Sequence, residues 1–297
     1  MKQKIRYILL FFCFMQVLAN AQAPDSTENA LLWRISGNGL KQTSYLYGTI
    51  HLIPKKYFSM NDSIKTAFAQ VERIAFEIDL DKVKSIWGQL GLLRNTFMKG
   101  DTTLEMLLSK RDYALVKLKF AASGLPMSMM GRIKPMLLGP LLEAQNSTAK
   151  DANTSYEMEF YAMANTADKR VEGLETAKYQ MSVFDTIPYR VQAEMLVDEI
   201  RNKPADDGLA RLVELYTKQD LIGLSELFRS DKSMKAYENV MLNNRNRNWI
   251  PVMQQKMKKH SYFFAVGAGH LINQKGVIAL LRKAGYTLKP IFYKVKK

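Results

Sequence analysis

Ser261-Tyr262-Phe263-Phe264-Ala265-Val266-Gly267-Ala268-Gly269-His270 is an apolar run, rich in aromatic and β-branched residues, that stops at two glycines and a histidine. Leu271-Ile272 and Val277-Ile278-Ala279-Leu280-Leu281 follow as the apolar face of a helix. The reading is strand, tight turn, helix. Such a junction sets His270 at the carboxyl end of a buried strand, the edge where α/β sheets place their ligands. Ser44-Tyr45-Leu46-Tyr47 runs into Gly48-Thr49-Ile50-His51 in the same way. Two strands therefore end in Gly-x-x-His and carry two of the three histidines in the chain. One such motif says little, since strand-end histidines are often ordinary hydrogen-bonded residues; the pair is what points to a site.

Working outward, Leu31 to Ile35 and Ser44 to Gly48 are strand-like, and Asn38-Gly39 between them suits a hairpin turn that accepts positive φ. Arg73-Ile74-Ala75-Phe76-Glu77-Ile78-Asp79-Leu80 reads as a buried strand with acids at alternate positions, so Glu77 and Asp79 are expected on one side. An acid among such residues needs a partner; the plain alternative is an edge strand or a helix cap. Lys169 to Thr176 forms a short strand ending in Glu175 and Thr176, and Leu288 to Val295 closes the chain. Most of the rest, from about 82 to 258, has helical spacing, punctuated by Gly124-Leu125-Pro126 and Lys134-Pro135. The expected fold is α+β: a mixed sheet assembled from N- and C-terminal strands, with a large, mostly helical middle region. Met127, Met129, Met130 and Met136 read as core or groove packing rather than copper ligands.

Lys2, Lys4 and Arg6 precede the apolar run Ile8 to Met15, and Ala19-Asn20-Ala21 offers a cleavage site. Residues 1–21 are therefore expected to be a signal peptide and 22–297 a single domain, periplasmic or secreted. Cys13 is the only cysteine; Phe11 and Phe12 stand where a lipoprotein signal needs small residues. The mature chain is then without cysteine, which excludes disulfides, a thiol nucleophile and cysteine-ligated zinc. The net charge of +15 stays strongly positive once the three signal cations are discounted. The basic residues are dispersed and no nucleic-acid motif accompanies them, so they read as a solvated basic surface rather than a nucleic-acid site, with contact to an anionic envelope surface as the alternative. His-Glu-x-x-His and Gly-x-Ser-x-Gly are both absent, which argues against a zincin and a nucleophile-elbow serine hydrolase.

Tyr47-Gly48-Thr49-Ile50-His51, Phe76-Glu77-Ile78-Asp79, Gly173-Leu174-Glu175-Thr176, Arg245-Asn246 with Trp249, and Val266 to His270, in that order, resemble the TraB/GumN family. The resemblance runs from about Leu31 to Tyr293 and extends to the TIKI metalloproteases and, more distantly, to erythromycin esterase-like and ChaN-like proteins. It implies that His51 and His270 are the paired histidines of the family, Glu77 its acid, and Arg245 and Asn246 its Arg-Asn pair; Glu175 falls on the Leu-Glu-Thr motif, with a role that is structural or functional.

Two imidazoles and a carboxylate in one cleft allow two chemistries. His51, His270 and Glu77 can ligate a divalent transition metal (Mn, Co or Zn) with open positions for water, which leads to metal-assisted hydrolysis of a peptide, protein or ester. Alternatively Glu77 is a metal-free general base and a histidine the proton donor. In either case Arg245 and Asn246 are candidates to stabilise an oxyanion, or Arg245 pairs with Glu77 and keeps it ionised. The rival from another class is a non-catalytic envelope protein that captures a ligand with the same histidines.

Overall fold

The computed structural model describes residues 29–146, 153–201, 207–230 and 235–293. The expected signal segment, Cys13 and the cleavage point lie outside these residues. In chain order the strands are β1 (Leu32–Gly37), β2 (Ser44–Thr49), β3 (Ile53–Pro54), β4 (Arg73–Ile78), β5 (Asn153–Thr154), β6 (Arg170–Glu175), β7 (Tyr262–Gly267) and β8 (Tyr286–Ile291). β3 and β5 pair with each other, and the other six form one mixed sheet in the order β6-β4-β7-β2-β1-β8. With helices packed around that sheet, the fold is α+β.

β6, β4, β7 and β2 run parallel to one another, while β1 is antiparallel to both β2 and β8. The register pairs Thr49 with Gly267 and Ile78 with Glu175. The four parallel strands therefore finish along one edge, and whatever follows them is delivered to the same place. Asn38 at φ 47° and Gly39 at φ 73° make the expected hairpin turn between β1 and β2. The strand expected within the mostly helical middle region is β6, so the sheet also takes one strand from outside the two termini. Burial of Val171 and Leu174 against β4 is what holds that strand there.

Tyr262 to Val266 are all buried, because helices cover both faces of the sheet and a central parallel strand has no solvent side to make polar. Phe160 packs against Phe263 at 4.8 Å and edge-on to Tyr47 at 5.4 Å, tying the helix Tyr156–Thr166 to β2 and β7. A second core lies among the middle helices, around Leu104, Val116, Phe120, Leu138, Leu196 and Val197. The buried Lys134 next to it is satisfied by the Met181 carbonyl and the Asp185 carboxylate, both at 2.9 Å.

At the amino ends of the strands Glu172 accepts from Arg73 at 2.8 Å, from Tyr262 Oη at 3.2 Å and from Lys256. Burial opposes its charge, but Lys256 and Arg73 outweigh it and hold the carboxyl down to about 2. The folded value lies below the unfolded one, so this stabilisation is full above about pH 4.5 and is lost as pH falls toward 2. Urea melts across that window are expected to show a shallower acid limb for Glu172→Gln than for the parent. A cavity of about 490 Å³ opens beside this residue, with Arg170 and Lys259 in its wall. It sits at the opposite end of β4, β6 and β7 from both Gly-x-x-His motifs.

Candidate functional site

His51 and His270 follow the carboxyl ends of β2 and β7, and Glu77 is the fifth residue of β4, the strand on the other side of β7. Gly267 sits among them. A Cβ on that glycine would lie 3.3 Å from Glu77 Oε1, 3.7 Å from His270 Cδ2 and 4.0 Å from His51 Nε2. Gly48 makes the two motifs compatible in another way, since a Cβ there would stand 3.1 Å from the Ala268 backbone and 3.0 Å from Leu271.

Arg245 and Asn246 come from the helix Asn244–Met257, which continues a π-helical turn, Asn239–Asn243. Such turns recur at functional sites because the extra residue resets which side chains face inward. Arg245, Asn246, Trp249, Met253 and Met257 form the buried stripe of this helix. Arg245 Nη2 donates to Glu77 Oε2 and to Glu175 Oε1, each at 2.6 Å. Its Nε donates to Glu175 Oε1 at 2.9 Å, and its Nη1 donates to the Met241 carbonyl at 3.1 Å and to His270 Nε2 at 3.2 Å. These bonds occupy all five guanidinium N–H groups.

The tautomer of His270 follows from its neighbours. Asn246 Nδ2 donates to the Lys275 carbonyl at 3.0 Å, so Oδ1 is the atom turned to His270 Nδ1, 2.6 Å away. Nδ1 therefore carries the hydrogen and Nε2 keeps its lone pair, facing Arg245 and, at 3.6 Å, Glu77 Oε1. Burial lowers the His270 pKa to about 3, with Arg245 and His51 acting in the same direction, so this imidazole is neutral. His51 is the opposite case. Its side chain is 75% exposed, its Nδ1 lies 2.7 Å from Glu157 Oε1, and that hydrogen bond raises its pKa to about 9. Glu77 is buried, which resists ionisation, yet His270, Arg245, His51 and the Gly267 N–H hold its carboxyl down to about 2.

The profile of the TraB/PrgY/gumN family matches residues 31–290. The chain belongs to that family. A curated protein from Amphimedon queenslandica named Metalloprotease TIKI homolog is 22% identical to it over 323 residues, an alignment covering 89% of this chain and 62% of that protein. The chain thus spans less than two thirds of that relative's length. No solved structure matches.

In this TraB/PrgY/gumN chain the residues expected to act together are sorted by the geometry. His51, Glu77 and His270 converge with Arg245, Asn246 and Glu175 around them. Asp79 does not join them: β4 ends at Ile78, and Asp79 caps the next helix, accepting from the Lys82 N–H at 3.1 Å and pairing with its ammonium. The oxyanion role expected of Arg245 and Asn246 is also corrected. Every donor of Arg245 is engaged, and Asn246 is spent on orienting His270, so the alternative in which Arg245 pairs with Glu77 is the one present. Glu175 accepts from Arg245 and, through Oε2, from Trp249 Nε1 at 2.8 Å; it anchors the guanidinium.

Two partners escaped the sequence reading. Gln180 donates to Glu77 Oε2 at 2.9 Å, and Glu157 takes up His51, Thr49 Oγ1 at 2.7 Å and Ser155 Oγ at 2.8 Å. Glu157 lies 108 positions from Thr49, and no local pattern announces such a contact. Glu157→Gln is expected to bring the His51 pKa back toward its ordinary 6.5, a shift that NMR titration of the histidine ring protons reads directly.

The donor types suit a transition metal. Both imidazoles spend Nδ1 on an acceptor and leave Nε2 directed inward, the usual support for a metal-ligating histidine, and an ionised carboxylate lies between them. Their positions as they stand do not close on an ion, and among the described residues no three of the His, Cys, Asp and Glu side chains are so arranged. The Arg245 guanidinium occupies the cation's place against His270 Nε2 and must yield it before the three could share a metal.

Proposed function

We propose that this chain is a hydrolase of peptide or ester bonds, exported to the periplasm or beyond, in which His51, Glu77 and His270 hold a divalent transition metal. The observation that carries the reading is the meeting of these three groups at the carboxyl edge of the parallel strands, with each histidine braced through its Nδ1. The metalloprotease name of the Amphimedon queenslandica relative supports the reaction class. A metal there would supply Lewis acidity toward a substrate carbonyl.

The remaining roles belong to the protein. His51, exposed and bonded through Nδ1 to Glu157, turns Nε2 toward the ion at the mouth of the site and would give up a proton on binding it. Glu77 stays ionised through Arg245 and presents Oε1 as the acceptor that orients a water. His270, neutral and buried, offers a lone pair without adding charge.

Chelator-stripped protein should be offered a panel of peptides and esters before and after addition of Mn²⁺, Co²⁺ or Zn²⁺. The expected outcome is turnover that appears with the ion. Turnover that is indifferent to both chelator and ion would contradict the metal role and leave Glu77 and the histidines as the whole catalyst.

A further inference from the structure

We propose that the helix Ile86–Thr96 is a docking surface for an anionic lipid bilayer. Among the described residues the first three α-helices are α1 (Asp62–Ala69), α2 (Leu80–Lys84) and α3 (Ile86–Thr96), and α2 and α3 follow directly from the carboxyl end of β4. The partly buried positions of α3 are Gly88, Leu92, Asn95 and Thr96, at helical spacing on one side, and α3 rests against the helix Ala177–Val183. The other side is apolar and open: Ile86 is 75% exposed, Trp87 83%, Leu90 54% and Leu93 55%, and Phe97 just beyond extends the row. Positions 86, 90, 93 and 97 make a continuous stripe about 16 Å long. Chains do not leave a tryptophan and four large apolar groups in water on a single helix without a use for them.

The charges beside the stripe select the occupant. Between Asp81 and Asp101 the chain has Lys82, Lys84, Arg94 and Lys99 and no acid at all. Lys82 is bonded to Asp79 and Lys99 to Asp185, and Lys84 and Arg94 leave the rim positive; an apolar row bearing a tryptophan beside such cations is the composition that lies in a lipid headgroup layer and is drawn there by anionic lipids. A second copy of the chain is a poor fit, because pairing α3 with α3 would bring two sets of four cations together. No described helix is long and apolar enough to cross a membrane, so the contact is peripheral. The helix Ala177–Val183 beneath α3 carries Gln180, which holds Glu77. Docking through α3 would therefore seat the chain with its candidate site close to the bilayer, whatever that site catalyses.

The protein supplies its own reporter. Trp33 and Trp249 are fully buried, so of the three tryptophans Trp87 alone meets solvent. Sedimentation with vesicles of phosphatidylglycerol and phosphatidylcholine, against phosphatidylcholine alone, should be read beside tryptophan emission. Binding to the anionic vesicles only, weakened by salt and accompanied by a blue shift, is expected for the parent. Leu90→Ser/Leu93→Ser and Lys84→Glu/Arg94→Glu should each weaken it roughly tenfold. Lys258→Glu/Lys259→Glu, a charge change elsewhere on the surface, should leave it near the parent's. The proposal is overturned if the parent fails to sediment, if the α3 variants bind like the Lys258/Lys259 control, or if bound protein shows unshifted emission. It is equally overturned if the α3 variants change only the molecular mass in solution, which would make the stripe a contact between protein chains.

Discussion

Arg245→Met is expected to destabilise the protein by about 3–5 kcal/mol, the usual result of removing one member of a buried ion cluster. The guanidinium is held between Glu77 and Glu175, and both carboxylates are themselves buried. Burial already pushes the Glu175 pKa upward, with Glu77 adding to it, and Arg245 and Trp249 are what oppose that rise. Without Arg245 two like charges share a dry site and at least one must take up a proton, so both folded-state pKa values climb. A raised carboxyl pKa makes stability fall as pH rises through it, so the defect should be worst near neutrality and relieved in mild acid. Urea melts at both pH values check this. Adding Glu175→Gln to the variant should recover part of the loss, because the second charge is then gone. A variant as stable as the parent at neutral pH would show that the cluster is not what holds these strand ends together.

Glu77→Gln should remove turnover by about two to four orders of magnitude while leaving the fold in place. Glutamine keeps the shape, can still accept the Gly267 N–H, and leaves Arg245 its bonds to Glu175. What it loses is the charge that orients water and binds cations. Steady-state kinetics on whichever substrate proves active, with circular dichroism as the fold control, separates the two effects. His260→Ala is the matched negative control. That third histidine bonds Glu72 at the far end of the sheet, and its removal should leave activity unchanged.

How far the sequence foretold this depends on the kind of contact. The strands after which His51 and His270 stand were legible because each is an apolar run broken by glycine, and parallel pairing then brings the two histidines together without further information. Glu77 was legible for the same reason, as an acid set in an apolar strand. Of the two readings open for Asp79 the helix cap is the one present, because the strand's period of two stops at Ile78 and the next helix begins there. The roles of Arg245 and Asn246 could not be read from their adjacency. Whether a guanidinium faces substrate or two carboxylates depends on where Glu175 and Glu77 arrive, and that is set by β6 beside β4. Glu157 and Gln180 were invisible, since each meets the site only through tertiary packing of its own helix.

If the proposed function is right, His51, Glu77 and His270 form one cation-binding site. Calorimetric titration of chelator-stripped protein with Mn²⁺, Co²⁺ and Zn²⁺, beside a folded His51→Ala/His270→Ala variant, tests it most directly. Saturable binding of at least one of these ions to the parent, lost in the variant, is expected. Equal binding by both proteins, or none by the parent with any of the three ions, would contradict it.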